Sequence, residues 1–302
     1  MDQVPHSQSR YYYEGSDVIA VPTRWTRDFT WGFAWKRTHL DLESMSEVAM
    51  INYAHYGAAN TVCYDDTHPH LLYTGGADGH VKVYDRRALG EFDDQPVGVF
   101  AGHENLITYI DARGDGRYLI SNSMDNSIKL WDLRRFCGCE TMQETVECVR
   151  QQPWEYSWQS ILCAKKSTLK KDTSVLTFRG HTVDHRSVRA KFSPRRTGRR
   201  YIYTGSERGQ VVVYDILASS PSEVAVFDPG LDPVHCRLYN YMRALRDVDW
   251  NPTTNEIVTV EWNGVTLIWK WDKFYINFRP GVENRSDAKN IREESCEPVV
   301  KR

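Results

Sequence analysis

The chain has 302 residues, 41% hydrophobic and 26% charged, and its 38 Lys and Arg nearly balance 40 Asp and Glu for a formal net charge of −2. That composition fits a folded chain with a sizeable core and speaks against a protein whose main work is coating nucleic acid or anionic lipid. The seven cysteines are too few and scattered for a disulfide framework and read as reduced thiols. No apolar run approaches the ~18–20 residues of a membrane span, and the opening MDQVPHSQSRYYYEG lacks the basic-then-apolar order of a signal peptide.

Aromatic residues make up 12% of the chain, and many follow β-branched residues in short runs. Such runs suit half-buried strands, so an all-β fold is expected. In chain order, residues 1–47 are rich in aromatics (Tyr11, Trp25, Phe29, Trp31, Trp35) but show no repeat, and HLDLESMSEVAM (39–50) reads as a short helix with Leu40, Met45 and Val48 on one face. Four segments then share one plan: HLLYTGGADGHVKVYD (70–85), YLISNSMDNSIKLWD (118–132), YIYTGSERGQVVVYD (201–215) and EIVTVEWNGVTLIWKW (256–271). Each is an apolar strand, a tight turn with residues that tolerate positive φ (Asp78-Gly79, Asp125-Asn126, Arg208-Gly209, Asn263-Gly264) and a second apolar strand ending in an aromatic–Asp pair or its degenerate form. PVGVF (96–100) and SVLTF (174–178) are further strands, followed by Gly102-His103 and Gly180-His181. Strand, Gly-His, strand, hairpin, Trp/Tyr-Asp is the signature of WD40 repeats, so the chain resembles a β-propeller.

The WD40 resemblance implies a structural network of His103, Ser121 or Ser123, Asp125 and Trp131, with His181, Ser206 and Tyr214 as a degraded copy and His55 serving the first repeat. Two boxes continue past the Asp: Tyr84-Asp85-Arg86-Arg87 and Trp131-Asp132-Leu133-Arg134. Consecutive WD-x-R boxes resemble the substrate receptors of cullin-4 ubiquitin ligases. The phrases DARGDGRYLISNSMDNSIKLWDLRRF (111–136), QQPWEYSWQ (151–159) and YIYTGSERGQVVVYD resemble the WD-repeat protein 23 family, also called DDB- and cullin-associated factor eleven. That resemblance covers roughly residues 48–271. It implies a non-catalytic substrate receptor that docks on the cullin-4 ligase adaptor, the DNA-damage-binding protein subunit, and presents protein targets for ubiquitination and proteasomal degradation. In that family the targets include stress-response leucine-zipper transcription factors, and the implied location is nucleus and cytoplasm. Arg87 and Arg134 would face the adaptor, with Asp85, Asp132 and Trp131 holding their turns. Asn105, Asn126, His185 and Asn263, on the opposite face, are the candidates for substrate contact.

A closed ring of this type has seven blades; four are recognisable here, which leaves open whether residues 1–47 complete it. The expected organisation is a divergent segment 1–47, propeller blades 48–272 and a mostly disordered tail 273–302. Cys137, Cys139 and Cys148 are off-pattern for zinc; their arginine neighbours make a redox thiol the stronger of those two readings, and both stand behind plain reduced loop cysteines. Lys165, Lys166, Lys170 and Lys171, and Arg195, Arg196, Arg199 and Arg200, form basic patches that motivate the alternative of a scaffold in a nuclear nucleic-acid-processing complex. No phosphate loop, dinucleotide fingerprint, zinc-protease motif or nucleophile elbow is present, so neither catalysis nor a cofactor is expected. Membrane and nucleic-acid partners are not expected either.

Overall fold

A computed structural model describes residues 28–31, 36–41, 46–89, 95–151, 169, 172–183, 188–207, 209–218, 223–227, 244–270 and 299–300. Three strands come first: β1 (Asp28–Trp31), β2 (Lys36–Asp41) and β3 (Ser46–Asn52) form a three-stranded antiparallel sheet. The expected helix at 39–50 is therefore wrong. The apolar spacing that reads as one helical face is divided between two strands, with His39 opposite Ala49 and a register shift at the next position.

Four four-stranded antiparallel sheets follow, one for each repeat. The second sheet holds β4 (Ala59–Tyr64), β5 (Leu71–Gly76), β6 (Val81–Asp85) and β7 (Gly98–Phe100) in that spatial order. The third holds β8 (Ile107–Ala112), β9 (Tyr118–Ser123), β10 (Ser127–Asp132) and β11 (Leu176–Arg179). The fourth holds β12 (Ala190–Phe192), β13 (Tyr201–Gly205), β14 (Val211–Asp215) and β15 (Glu223–Phe227). The fifth holds β16 (Leu245–Trp250), β17 (Glu256–Glu261), β18 (Thr266–Lys270) and β19 (Val299–Val300). In the tail, Val299 and Val300 pair with Ile268 and Leu267 and cover the edge that β18 otherwise presents; residues 271–298 lie outside the described residues.

The sequence dictates these hairpins locally. Asn126, Gly79, Gly209 and Gly264 take positive φ (59°, 73°, 77° and 84°), the conformation a two-residue connection demands. Alternate strand positions then point into seams between neighbouring sheets. Ile51 and Ala54 meet Val62, Leu72 and Tyr84 at the first seam. Tyr73 and Val83 meet Ile107, Ile110 and Trp131 at the second. Ile120 and Phe178 meet Ile202 and Tyr214 at the third, and Tyr203 and Val213 meet Leu245, Trp250 and Trp269 at the fourth. Each fully buried large side chain is worth about 1.5–3 kcal/mol, so the seams hold the row together. Gly75 is needed for this approach: a Cβ there would lie 2.6 Å from Ile107 Cγ2.

Polar ties cross the seams as well. Asn60 Nδ2 donates to the Ile107 carbonyl, the Phe192 amide donates to Asp111 Oδ2, and Arg189 pairs with Asp247 at 3.0 Å. Arg199 reaches furthest: its guanidinium donates to the Ala112 carbonyl in the third sheet and to Asp66 beyond β4 in the second. The insert after β10 carries an element that periodicity did not expose, helix α1 (Cys139–Gln151). Thr141, Thr145 and Val149 form its buried stripe, and the helix lies on the β5–β6 turn, where His80 Nε2 meets the Met142 carbonyl at 3.2 Å.

Candidate functional site

One end of the row carries the hairpin turns and the histidines. In the third sheet His103 Nδ1 lies 2.8 Å from Asp125 Oδ2, and His103 Nε2 lies 2.7 Å from Ser121 Oγ. Trp131 Nε1 donates to that same hydroxyl at 2.7 Å. The hydroxyl of this network is Ser121; Ser123 instead donates to the Asn105 carbonyl and accepts from the Asp125 amide. Burial alone would raise the Asp125 pKa, but the adjacent imidazole and the Ser127 hydroxyl hold its carboxyl well below the usual range. The second sheet repeats the set, with His55 between Asp78 (2.9 Å) and Thr74 (2.8 Å). In the fifth, Trp269 Nε1 donates to Thr259.

His181 departs from expectation. It bonds Tyr214 Oη at 3.0 Å and Asn122 Oδ1 at 2.9 Å, whereas Ser206 hydrogen-bonds Thr182. With no aspartate in its turn, the ring borrows an acceptor from the neighbouring sheet. Burial pushes its pKa down to about 4 from an ordinary 6.5. Asp111 goes the other way, pushed up by burial to about 6 from 3.8.

These shifts have opposite consequences. Between about pH 4 and 6.5 unfolded His181 binds a proton that the folded ring refuses, so its contribution to stability is lost as pH falls. Between 3.8 and about 6 folded Asp111 keeps a proton that the unfolded chain releases, so its contribution is lost as pH rises. The two slopes offset each other in the wild type. Asp111→Asn retains an acceptor for the Phe192 amide and removes only the second slope. Thermal unfolding from pH 4 to 7 should therefore show the variant gaining stability steadily with pH, with an advantage over wild type of order 1–2 kcal/mol at neutral pH.

The opposite end carries the aromatic–Asp boxes. Asp85 accepts from the Arg87 amide and grips its guanidinium through Nε at 3.0 Å and Nη2 at 2.7 Å. Asp132 holds Arg134 in the same way, at 3.1 and 2.9 Å. The guanidinium-bearing side chains stay 69% and 65% exposed, so each carboxylate aims an arginine outward rather than covering it. The Arg87 fork holds the Asp85 carboxyl down at about 2. Trp131, expected at this site, is fully buried in the seam and reaches no surface; its ring belongs to the His103 network.

Two further arginines converge here. Arg117 pairs with Asp132 at 3.2 Å, and Arg200 grips Asp215, the box that lacks its own trailing arginine. The signal was in the register: Asp132 stands opposite Tyr118 and Asp215 opposite Tyr201, so the residue just before that tyrosine reaches the carboxylate. Arg117 and Arg200 are 44% and 40% exposed, which extends the arginine row over three neighbouring sheets.

The substrate-contact candidates fall in turns on the histidine end. Asn126 is committed, its Oδ1 accepting from the Val183 amide at 2.5 Å, and Asn105 Oδ1 caps the Leu106 amide. Asn263 is exposed and braces the Val265 amide. His185 lies outside the described residues, as do Lys165, Lys166, Lys170, Lys171 and Cys163. Arg195 and Arg199 both face Asp66, and Arg196 bonds Asn255, so each of these cations has a partner within the chain, while Arg195 stays 68% exposed. Burial pushes the Cys137 and Cys148 thiols up, away from thiolate, which favours plain reduced cysteines at these two positions. No group of three or more metal-ligating side chains occurs among the described residues.

The family model described as "WD domain, G-beta repeat" matches residues 47–85 and 94–132, the second sheet and the inner three strands of the third together with the stretches leading into them. A chain in the crystal structure of a mitotic checkpoint complex superposes with a TM-score of 0.55 at 16% identity, covering 82% of this chain and 58% of that one, which speaks to fold alone. The chain is a WD40-repeat protein built of propeller blades. Two proteins, from Caenorhabditis elegans and Caenorhabditis briggsae, are each 44% identical over 263 residues, 86% of this chain, and each is named "DDB1- and CUL4-associated factor 11 homolog". The chain belongs to their family, and it spans 43% and 44% of their lengths, less than half.

Proposed function

We propose that this chain is a non-catalytic substrate receptor of a cullin-4 ubiquitin ligase. In this reading it docks on the DDB1 adaptor through Arg87 and Arg134 and offers the histidine end to proteins destined for ubiquitination and degradation, in the nucleus and cytoplasm. The observation that carries the reading is the pair of WD-x-R boxes on adjacent sheets. Both arginines are held by their own aspartates in one geometry and exposed at one end of the row. A fork so fixed loses little side-chain freedom on binding a carboxylate or carbonyl. The relatives' name, which associates those proteins with DDB1 and CUL4, supports the partner. Arg117 and Arg200 enlarge the same surface. The test is direct binding of the purified chain to purified DDB1; a folded chain that ignores the adaptor ends the reading. The nucleic-acid scaffold is the less supported reading: Arg195, Arg196, Arg199 and Arg200 each have a partner within the chain, and the lysine patch lies outside the described residues.

A further inference from the structure

At the arginine end, an imidazole stands where the two neighbouring sheets carry a guanidinium. In the second sheet Leu71 lies opposite Asp85, as Tyr118 lies opposite Asp132 and Tyr201 opposite Asp215. The residue before each is His70, Arg117 or Arg200. The backbone holds all three alike, because the residue after each box aspartate donates its amide to the carbonyl of that cross-strand residue. Arg86 donates to His70 at 2.8 Å, Leu133 to Arg117 at 2.9 Å and Ile216 to Arg200 at 3.1 Å. The equivalence is invisible in the sequence, where the three residues share neither type nor motif.

Arginine keeps its charge throughout the physiological range, whereas histidine is the side chain whose charge ordinarily changes between pH 5 and 8. His70 is half-buried, and its ring meets that of His68 edge-on, with centroids 5.7 Å apart. Three elements supply the charged and titratable groups around it. The end of β6 and the turn after it bring Asp85, Arg86 and Arg87. The Arg87 fork does most to hold the Asp85 carboxyl at about 2, and the charge of His70 adds to it. The loop before β5 brings His68, whose Nδ1 lies 3.6 Å from Asp65. The third sheet brings Asp115 and Arg117 on either side of Gly116, where a Cβ would lie 2.2 Å from His68 Cε1. With a proton on His70 the cross-strand row is three cations long; without it the row ends at the third sheet.

We propose that His70 is the third cross-strand cation of the docking face, and that its protonation tightens the grip of that face on an acidic partner surface. This rests on the receptor reading for the partner's identity. The charge is present at low pH and lost as pH rises, so affinity falls in that direction. The experiment is surface plasmon resonance of the full chain on immobilised DDB1 at about pH 6 and pH 8, at one ionic strength, for wild type, His70→Gln, His70→Arg and His68→Gln. Wild type should bind about two- to fivefold more tightly at the lower pH, the range of a partly exposed charge pair. His70→Gln should stay at the weaker level and His70→Arg at the tighter level at both pH values, while His68→Gln keeps the wild-type difference. Titration of DDB1 or of other histidines would appear equally in all four proteins and drops out of the comparison. Salt of about 0.5 M should shrink the wild-type difference, because an exposed charge is screened. A wild-type affinity that does not change with pH, or a difference that persists undiminished in both His70 variants, would overturn the proposal and leave the receptor reading standing. A folded chain that fails to bind DDB1 at either pH overturns both.

Discussion

Replacing Asp125 with alanine is expected to destabilise the third sheet by about 3–5 kcal/mol, the cost of breaking a buried charged network by removing one partner. The carboxylate is the hub of the turn: it meets His103 Nδ1 and accepts from the amides of Glu104 and Ser127 and from the Ser127 hydroxyl. All of these partners except Glu104, which is half-buried, lie fully inside the protein, so an alanine leaves donors with no water to turn to. His103 would lose its orientation, and with it the Ser121 hydroxyl that Trp131 depends on. Asp125→Asn keeps the shape and one acceptor and should cost clearly less. Denaturant melts of the two variants check the ranking; equal losses would mean that the charge, and not the acceptor geometry, sets the stability of the turn.

The second large effect is on binding. Arg87→Ala with Arg134→Ala should weaken DDB1 binding on the order of a hundredfold or more, as expected when interface arginines paired in the complex are removed. Their exposure means that folding should be untouched, which circular dichroism and Tm can establish. Arg117→Ala should weaken binding less, because Asp132 still orients Arg134. Arg200 calls for a different variant, since Asp215 is buried and alanine would take the guanidinium away and leave its carboxylate with the Leu217 amide. Arg200→Lys keeps the charge and loses the fork, so a moderate loss of affinity at unchanged Tm is expected. Surface plasmon resonance on the four proteins would rank them. A double variant that binds like wild type would remove Arg87 and Arg134 from the interface altogether.

Much of this architecture was legible in the residues, and for identifiable reasons. A hairpin is a local object: its turn demands residues such as Asn126 or Gly264, and its strands alternate within a few positions. Four copies of one hairpin therefore announced the sheets. The first sheet was hidden because its strands of four to seven residues carry no such turn signature, and an apolar spacing shared across β2 and β3 mimics a helical face. β19 was hidden by distance, since Val300 meets Leu267 from a remote part of the chain. At the arginine end, Arg87 and Arg134 were readable because each lies two residues from its carboxylate. Arg117 and Arg200 act across a strand pair and become visible only when the register is known. Trp131 was readable as a member of the His103 network, and its complete burial keeps it from the surface that Arg87 and Arg134 reach.

The reach of Arg199 bears on how the molecule comes apart. In a row of sheets that touch only their neighbours, each unit can open at its own free energy and the melting of one end leaves the other intact. Arg199, in the fourth sheet's approach loop, holds Asp66 in the second and the Ala112 carbonyl in the third. Together with Arg195, which also faces Asp66, that side chain links the second and fourth sheets, so opening the third sheet also severs a link between its two flanks. Hydrogen exchange should then report one shared opening energy for the amides of β5, β9 and β13. Arg199→Ala should split them into separate classes, turning a single cooperative unit into a chain of loosely coupled ones.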